Sequence, residues 1–218
     1  MFIGHYAMGF AAKRVAPKLS LGLFFLATQF VDMLWPLFLL FGLEHVRIAP
    51  GNTAFTPLDF YDYPYSHSLL FSLIWSVALG AAVRLAGRRT SESIVTGGLV
   101  FSHWLLDMLT HRPDLPLAPG SAMMFGMGLW NSVLWTSVVE WLLFAGGIYI
   151  YARGTTPLDK QGRYGLWLLV GVLAAISLAN TLGPPPPDTA AIAYAGLGLW
   201  LFVLMAFWVD RHRTQAER

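Results

Sequence analysis

Long apolar stretches recur along this chain, near residues 20-43, 66-86, 93-110, 129-151, 164-183 and 189-209. A hydrocarbon core about 30 Å thick takes about 20 residues of helix to cross. Lipid offers no partner to an unpaired amide or carbonyl, so open stretches of this length are confined to helices. With 56% hydrophobic and only 12% charged residues among 218, the chain cannot cover itself with the polar surface of an ordinary soluble domain. It reads as all-α, a polytopic membrane bundle of about six transmembrane helices forming one integral membrane domain over 1-218. The stretch at 93-110 is the weakest, being short and carrying Ser102, His103 and Asp107.

The charges act as a topology signal. Under six crossings, Lys13, Arg14 and Lys18 share a side with Arg84, Arg88, Arg89, Arg153, Lys160, Arg163, Arg211, Arg213 and Arg218, and only Arg47 and Arg112 of the 14 basic residues fall opposite. The positive-inside rule then places both termini in the cytoplasm and the 44-65, 111-128 and 184-188 loops outside. A mild basic excess used this way does not point to nucleic acid. Nothing at the start resembles a secretory signal, because the apolar run from Met1 to Ala12 precedes Lys13 and Arg14, and the N-terminus is expected to be retained. The absence of cysteine excludes a disulfide framework and a thiolate metal site.

Prolines and glycines from Pro50 to Pro64 and from Arg112 to Gly128 mark loops, and Pro184 to Pro187 a stiff turn. No internal repeat is visible. Polar chemistry is concentrated before residue 151, leaving 152-218 as two supporting helices that contain little beyond Ser177, Asn180 and Thr181.

Ionisable side chains in hydrocarbon are costly, and each is a functional hypothesis to be weighed against a structural role. Asp32 lies midway in the first stretch, His67 opens the second in "YSHSLL", His103 and Asp107 lie in the third, and Glu140 in the fourth. His103, Asp107 and His111 follow each other at i, i+4, i+8, one slowly drifting stripe of a helix. At about 1.5 Å per residue, Asp32 lies about 18 Å deep, His103 about 15 Å and Asp107 about 21 Å, so they share a layer. The segment "MFIGHYAMGFAAKR" is too short to span. It either re-enters the membrane, bringing His5 toward the same layer, or lies in the interface with His5 among headgroups. Imidazole and carboxylate without thiolate suit zinc, manganese or iron, and a mixed set can hold one or two ions. A proton relay or interhelical hydrogen bonding are the other uses of such residues. Ser66 or Ser68 is placed to orient His67.

In combination, "GHYAMGFAAKR", "TPLDF", "YPYSHSLL", "HWLLDMLTHRPDLPL" and "GMGLWNS" resemble the bacterial membrane-bound, metal-dependent hydrolase-like proteins of the YdjM-like group, over about residues 1 to 151. A more distant likeness is to zinc-dependent phospholipase C and the zinc-dependent single-strand nucleases. The resemblance implies a bacterial inner-membrane protein with zinc or another divalent metal on His5, Asp32, His67, His103 and Asp107, with His111 a weaker ligand. Asp32, Asp107 and Glu140 become the catalytic candidates, Glu140 as substitute ligand or base. The His-x-x-x-Glu element of the soluble enzymes is absent, which puts a three-metal cluster in doubt.

Three functions stay open. One is a hydrolase of a phosphoester, carried by a lipid or lipid-linked molecule of the surrounding membrane, with Arg112 either steering the anion or anchoring the interface. The second is a transporter or ion-coupled permease. The third is a noncatalytic membrane scaffold with a structural metal site. No HExxH, GxSxG or P-loop pattern occurs.

Overall fold

The computed structural model describes residues 1–216. Arg218, counted above among the basic residues, lies outside the described residues. The chain begins with helices α1 (Ile3–Ala12), α2 (Leu21–Thr28) and α3 (Phe30–Leu40), then a hairpin of β1 (His45–Ile48) and β2 (Leu58–Asp62). The short turn α4 (Pro64–His67) leads into α5 (Leu69–Leu85) and α6 (Thr90–Thr110), followed by the small ribbon β3 (Leu115–Pro116) and β4 (Met124–Phe125). After α7 (Val133–Gly154) come β5 (Thr155–Pro157), α8 (Lys160–Leu182), α9 (Thr189–Leu197), α10 (Leu199–Arg211) and β6 (Arg213–Gln215), which pairs antiparallel with β5.

Local chemistry places the helix starts. Ser20, Ser68, Ser132, Asp159 and Asp188 each stand in extended conformation before a helix and accept an amide from its first turn. The first long stretch does not run straight: α2 and α3 meet at Gln29 with a bend of 53°. Within α3, Pro36 has no amide to give the carbonyl of Asp32, four residues earlier.

Six crossings are not supported. Three lengths are both long and apolar enough to span, Val133–Gly154, Lys160–Leu182 and Thr189–Arg211, the last combining α9 and α10, and the bent pair α2 with α3 makes at most a fourth. The expected stretch at 66-86 becomes a helix of 17 residues, about 25 Å long. Helix α6 has 21 residues, but its serines, threonines, Glu92, His103 and Asp107 leave it too polar to qualify.

Helix α1 settles inside the bundle rather than on its surface. Ile3, Gly4, His5, Tyr6, Ala7, Gly9 and Phe10 are buried, and it packs on α7, α2 and α6. Tyr6 and Phe10 meet Phe25 edge-on at 4.7 and 5.0 Å between ring centroids. In lipid, helices associate by close packing rather than by escape from water, so small residues mark the tightest contacts. A Cβ on Gly147 of α7 would lie 2.5 Å from the Ala7 carbonyl oxygen, and one on Gly97 of α6 would lie 2.8 Å from that of Ser76 in α5.

The two ends of the bundle are tied separately. At one end Lys13 donates to Asp210 Oδ2 (2.7 Å), Tyr151 donates to Asp210 Oδ1 (2.9 Å), and His212 pairs with Asp159 at 2.7 Å. At the other, the Phe55 amide donates to the Trp130 carbonyl (3.0 Å) and the Leu70 amide to that of Leu117 (3.0 Å).

Candidate functional site

Four separate elements carry imidazole and carboxylate groups to one point. The first turn of α1 brings His5, α3 brings Asp32 just beyond the bend, α4 ends on His67, and α6 presents His103 and Asp107 one turn apart on a single face. His103 Nε2 lies 3.0 Å from Asp107 Oδ2 and 3.5 Å from Asp32 Oδ1. His5 Nε2 lies 3.0 Å from Asp107 Oδ1, and His67 Nε2 lies 3.2 Å from Asp32 Oδ1. The rings of His5 and His103 stack at 3.6 Å between centroids. The Met1 nitrogen donates to Asp107 Oδ1 at 2.8 Å.

His111 stands at the edge of this group. Helix α6 stops at Thr110 and His111 is its extended C-cap, so the third member of the i, i+4, i+8 stripe leaves the helix. Its Nε2 still lies 3.9 Å from Asp107 Oδ1. Glu140 takes a different place: its Oε2 accepts the amides of Phe2 (2.9 Å) and Gly4 (3.4 Å), holding the start of α1, while Oε1 is buried without a partner. Arg112 pairs with Asp59 and, at 3.2 Å, with Asp114, so its charge is already matched.

The far side of each ring determines what its inner nitrogen offers. His103 Nδ1 donates to the Thr28 carbonyl at the α2–α3 break (2.7 Å), which leaves the neutral ring's lone pair on Nε2. The Ser66 hydroxyl donates to Glu44 Oε2 (2.6 Å), so its oxygen accepts from His67 Nδ1 at 2.6 Å and the His67 lone pair also falls on Nε2. Glu44 is fixed in turn by the amides of Tyr65 (2.6 Å) and Ser66 (2.8 Å). His111 Nδ1 donates to Asp114 Oδ1 (2.9 Å), which also receives the Tyr63 hydroxyl (3.0 Å). Burial and the neighbouring Asp114 carboxylate hold the Tyr63 phenol protonated well above its usual range, so it acts as donor. Ser68, the other serine beside His67, instead caps α5 through the Phe71 amide.

Three imidazole lone pairs thus face two carboxylates in a buried space. A lone pair and a carboxylate oxygen cannot bond to each other, so beyond the Met1 ammonium on Asp107 the contacts of His67 and His103 require further cations, either protons or metal. The donor set fits a metal. His5, His103 and Asp107 form one group of ligand atoms within 4.8 Å of one another, and Asp32, His67 and His103 form a second. Ligands about 2.0–2.1 Å from a tetrahedral zinc stand about 3.3 Å apart, and the separations of 3.0, 3.2 and 3.5 Å bracket that value. Rings held by their outer N–H on carbonyl, hydroxyl or carboxylate have the supporting partners that ligand histidines use.

Access comes from one side. A cleft of about 890 Å³ reaches Asp32, His67, Asp107, His111 and Glu140, and continues between the 50-58 loop and residues of α8, α9 and α10. The Asp32 side chain is 27% exposed, against 2% for Asp107 and 1% for His103, so of these three Asp32 opens most to the cleft.

The sequence pattern missed Thr28, Glu44, Tyr63 and Asp114. Asp114 could have been found at i+3 from His111; the other three are joined to the site only by the fold. Comparison of the chain with protein-family models, with curated proteins and with solved structures finds no match in any of the three, so the likeness to the YdjM-like group rests on the quoted motifs alone.

Proposed function

We propose that this protein is an integral membrane, metal-dependent hydrolase acting on a phosphoester of a lipid or lipid-linked molecule. The observation that carries the reading is the convergence of His5, Asp32, His67, His103 and Asp107 at the inner end of a cleft, with the inner nitrogens of His67 and His103 left bare. Zinc is the best match to nitrogen and oxygen donors at these separations. Because His103 has spent Nδ1 on Thr28, it has a single nitrogen to give. The two groups that share it are therefore alternative selections around one ion, or a second ion relies on a bridging carboxylate.

When bound, a divalent metal supplies Lewis acidity toward a phosphoryl oxygen and makes water acidic enough to attack near neutral pH. The chain's own residues provide the rest. Thr28 and the Ser66–Glu44 pair orient His103 and His67, Asp32 faces the incoming substrate, and Glu140 Oε1 is a spare acceptor for a proton. A bacterial inner-membrane location, with the Arg153, Lys160 and Arg163 end in the cytoplasm, follows from the positive-inside rule and the family likeness. A noncatalytic scaffold would enclose every ligand. The partly exposed Asp32 carboxylate favours an open site instead.

The test is release of phosphate or headgroup from a panel of phospholipids and polyprenyl phosphates, before and after metal removal, for wild type, Asp32→Asn and Asp107→Asn. Metal-dependent release abolished by both substitutions is expected. Release that survives them belongs to another site or a contaminant, and absence of release across the panel overturns the hydrolase reading.

A further inference from the structure

The C-terminal helices do more than complete the bundle. Although α8 and α9 follow each other across the Pro184–Pro187 turn, they scarcely touch: α8 packs on α10, and α9 packs on α3. The cleft occupies the gap. Ile176 of α8 lines one wall, with Ile192 and Ala195 of α9 and Leu199 and Phe202 of α10 on the other, and the same space continues to Asp32 and Asp107. Both flanking lengths, Lys160–Leu182 and Thr189–Arg211, are apolar enough to lie in hydrocarbon.

Two chemical facts decide what such a space can take. Its walls away from the His/Asp cluster are mainly aliphatic, aromatic and proline, with the few polar side chains Thr53, Thr56, Ser177, Asn180 and Thr181 among them, so an aliphatic chain loses little on leaving lipid. Among the described residues that line it there is no Lys or Arg, and the Met1 ammonium is already held by Asp107 Oδ1 at 2.8 Å, so an anionic group at the inner end depends on a cation bound by the cluster. We propose that the cleft between α8 and α9 is a binding groove for the single aliphatic chain of an amphiphilic phosphate, which enters sideways from the membrane and delivers its phosphate to Asp32 and Asp107.

This inference rests on the hydrolase reading for the role of the phosphate, but the groove is testable without turnover. The chain and the phosphate should bind as separable parts. The chain contributes through the α8–α9 walls whether or not metal is present, and the phosphate contributes only when metal is bound.

The experiment uses the full-length protein in amphipol and a series of non-hydrolysable n-alkyl phosphonates from methyl to decyl, with geranyl phosphonate to distinguish straight from isoprenoid chains. Titration calorimetry on zinc-loaded wild type is expected to show affinity rising by up to about fourfold per methylene, the factor that corresponds to ~0.8 kcal/mol per buried methylene. Chelation should remove the binding of methylphosphonate and leave a chain-dependent remainder. Ala195→Trp and Ile176→Trp, on opposite walls, should flatten the chain-length series while retaining zinc content and methylphosphonate binding. A series that is flat in wild type, or unchanged in both variants, overturns the groove. If the series behaves as expected but no phosphoester is released, the hydrolase reading fails and the groove stands. Tighter binding of decyl than geranyl phosphonate assigns an acyl lipid, and the reverse order assigns an isoprenoid.

Discussion

At the scale of single residues, His103 shows how one side chain is given a role by what stands behind it. Its Nδ1 is committed to the Thr28 carbonyl, its ring is stacked on His5, and its Nε2 faces both carboxylates. The purified protein is expected to carry zinc, and the double substitution His103→Ala with Asp107→Ala should remove it, as read by elemental analysis; stoichiometric zinc in the double variant would be incompatible with this site. The two serines beside His67 separate support of the site from support of the helix. Ser66→Ala takes the acceptor from His67 Nδ1 and is expected to weaken zinc binding by about 10- to 100-fold. Ser68→Ala removes the cap of α5 and should cost about 0.5–2 kcal/mol of stability without changing zinc affinity. Competition with a chelator and thermal unfolding read the two effects; equal zinc affinity in both variants would refute the assignment. The HxxxD pair was legible because i, i+4 on a helix is a local geometry. The links to Thr28 and Glu44 were not, since they cross 75 and 22 residues of sequence.

At the scale of elements, the site depends on helices brought unusually close and on one that is broken. The bend at Gln29 turns α3 so that Asp32 faces α4 and α6, and the contact between Ala7 and Gly147 lets α1 sink deep enough for His5 to reach Asp107. Gly147→Leu should therefore push α1 outward, destabilise the protein by about 1–3 kcal/mol and lower zinc content. Gly146→Leu, one residue away in open space, is the control and should alter neither. Unfolding midpoints and zinc content of the two variants, measured side by side, check this; indistinguishable behaviour would contradict the packing. The glycines and alanines of residues 4 to 12 announce that α1 can pack tightly. They do not name its partner, and the glycine that makes the closest approach lies far away in α7.

At the scale of the whole molecule, sidedness follows from which ends are tied together. Strand β5, between α7 and α8, pairs with β6 beyond α10, so these two regions must share a side of the membrane. The Phe55 amide on the Trp130 carbonyl joins the opposite loops in the same way. Reporter fusions after residues 158 and 216 are expected to read cytoplasmic, and those after 118 and 186 external. An external reading at 158 would invert the orientation, and unlike readings at 158 and 216 would contradict the β5–β6 pairing.

Hydropathy alone determined that this is a helical membrane protein, because it follows from composition summed over long windows. The spacing of His103 and Asp107 and the depth of Asp32 marked a polar layer for the same reason, helix rise being uniform. What composition could not determine was how many stretches run straight through. The break at Gln29 and the shortness of α5 depend on which neighbours satisfy the backbone. Nor could it separate supporting helices from a substrate wall: an isoleucine facing lipid and one facing a cleft are the same letter, and only the gap between α8 and α9 tells them apart.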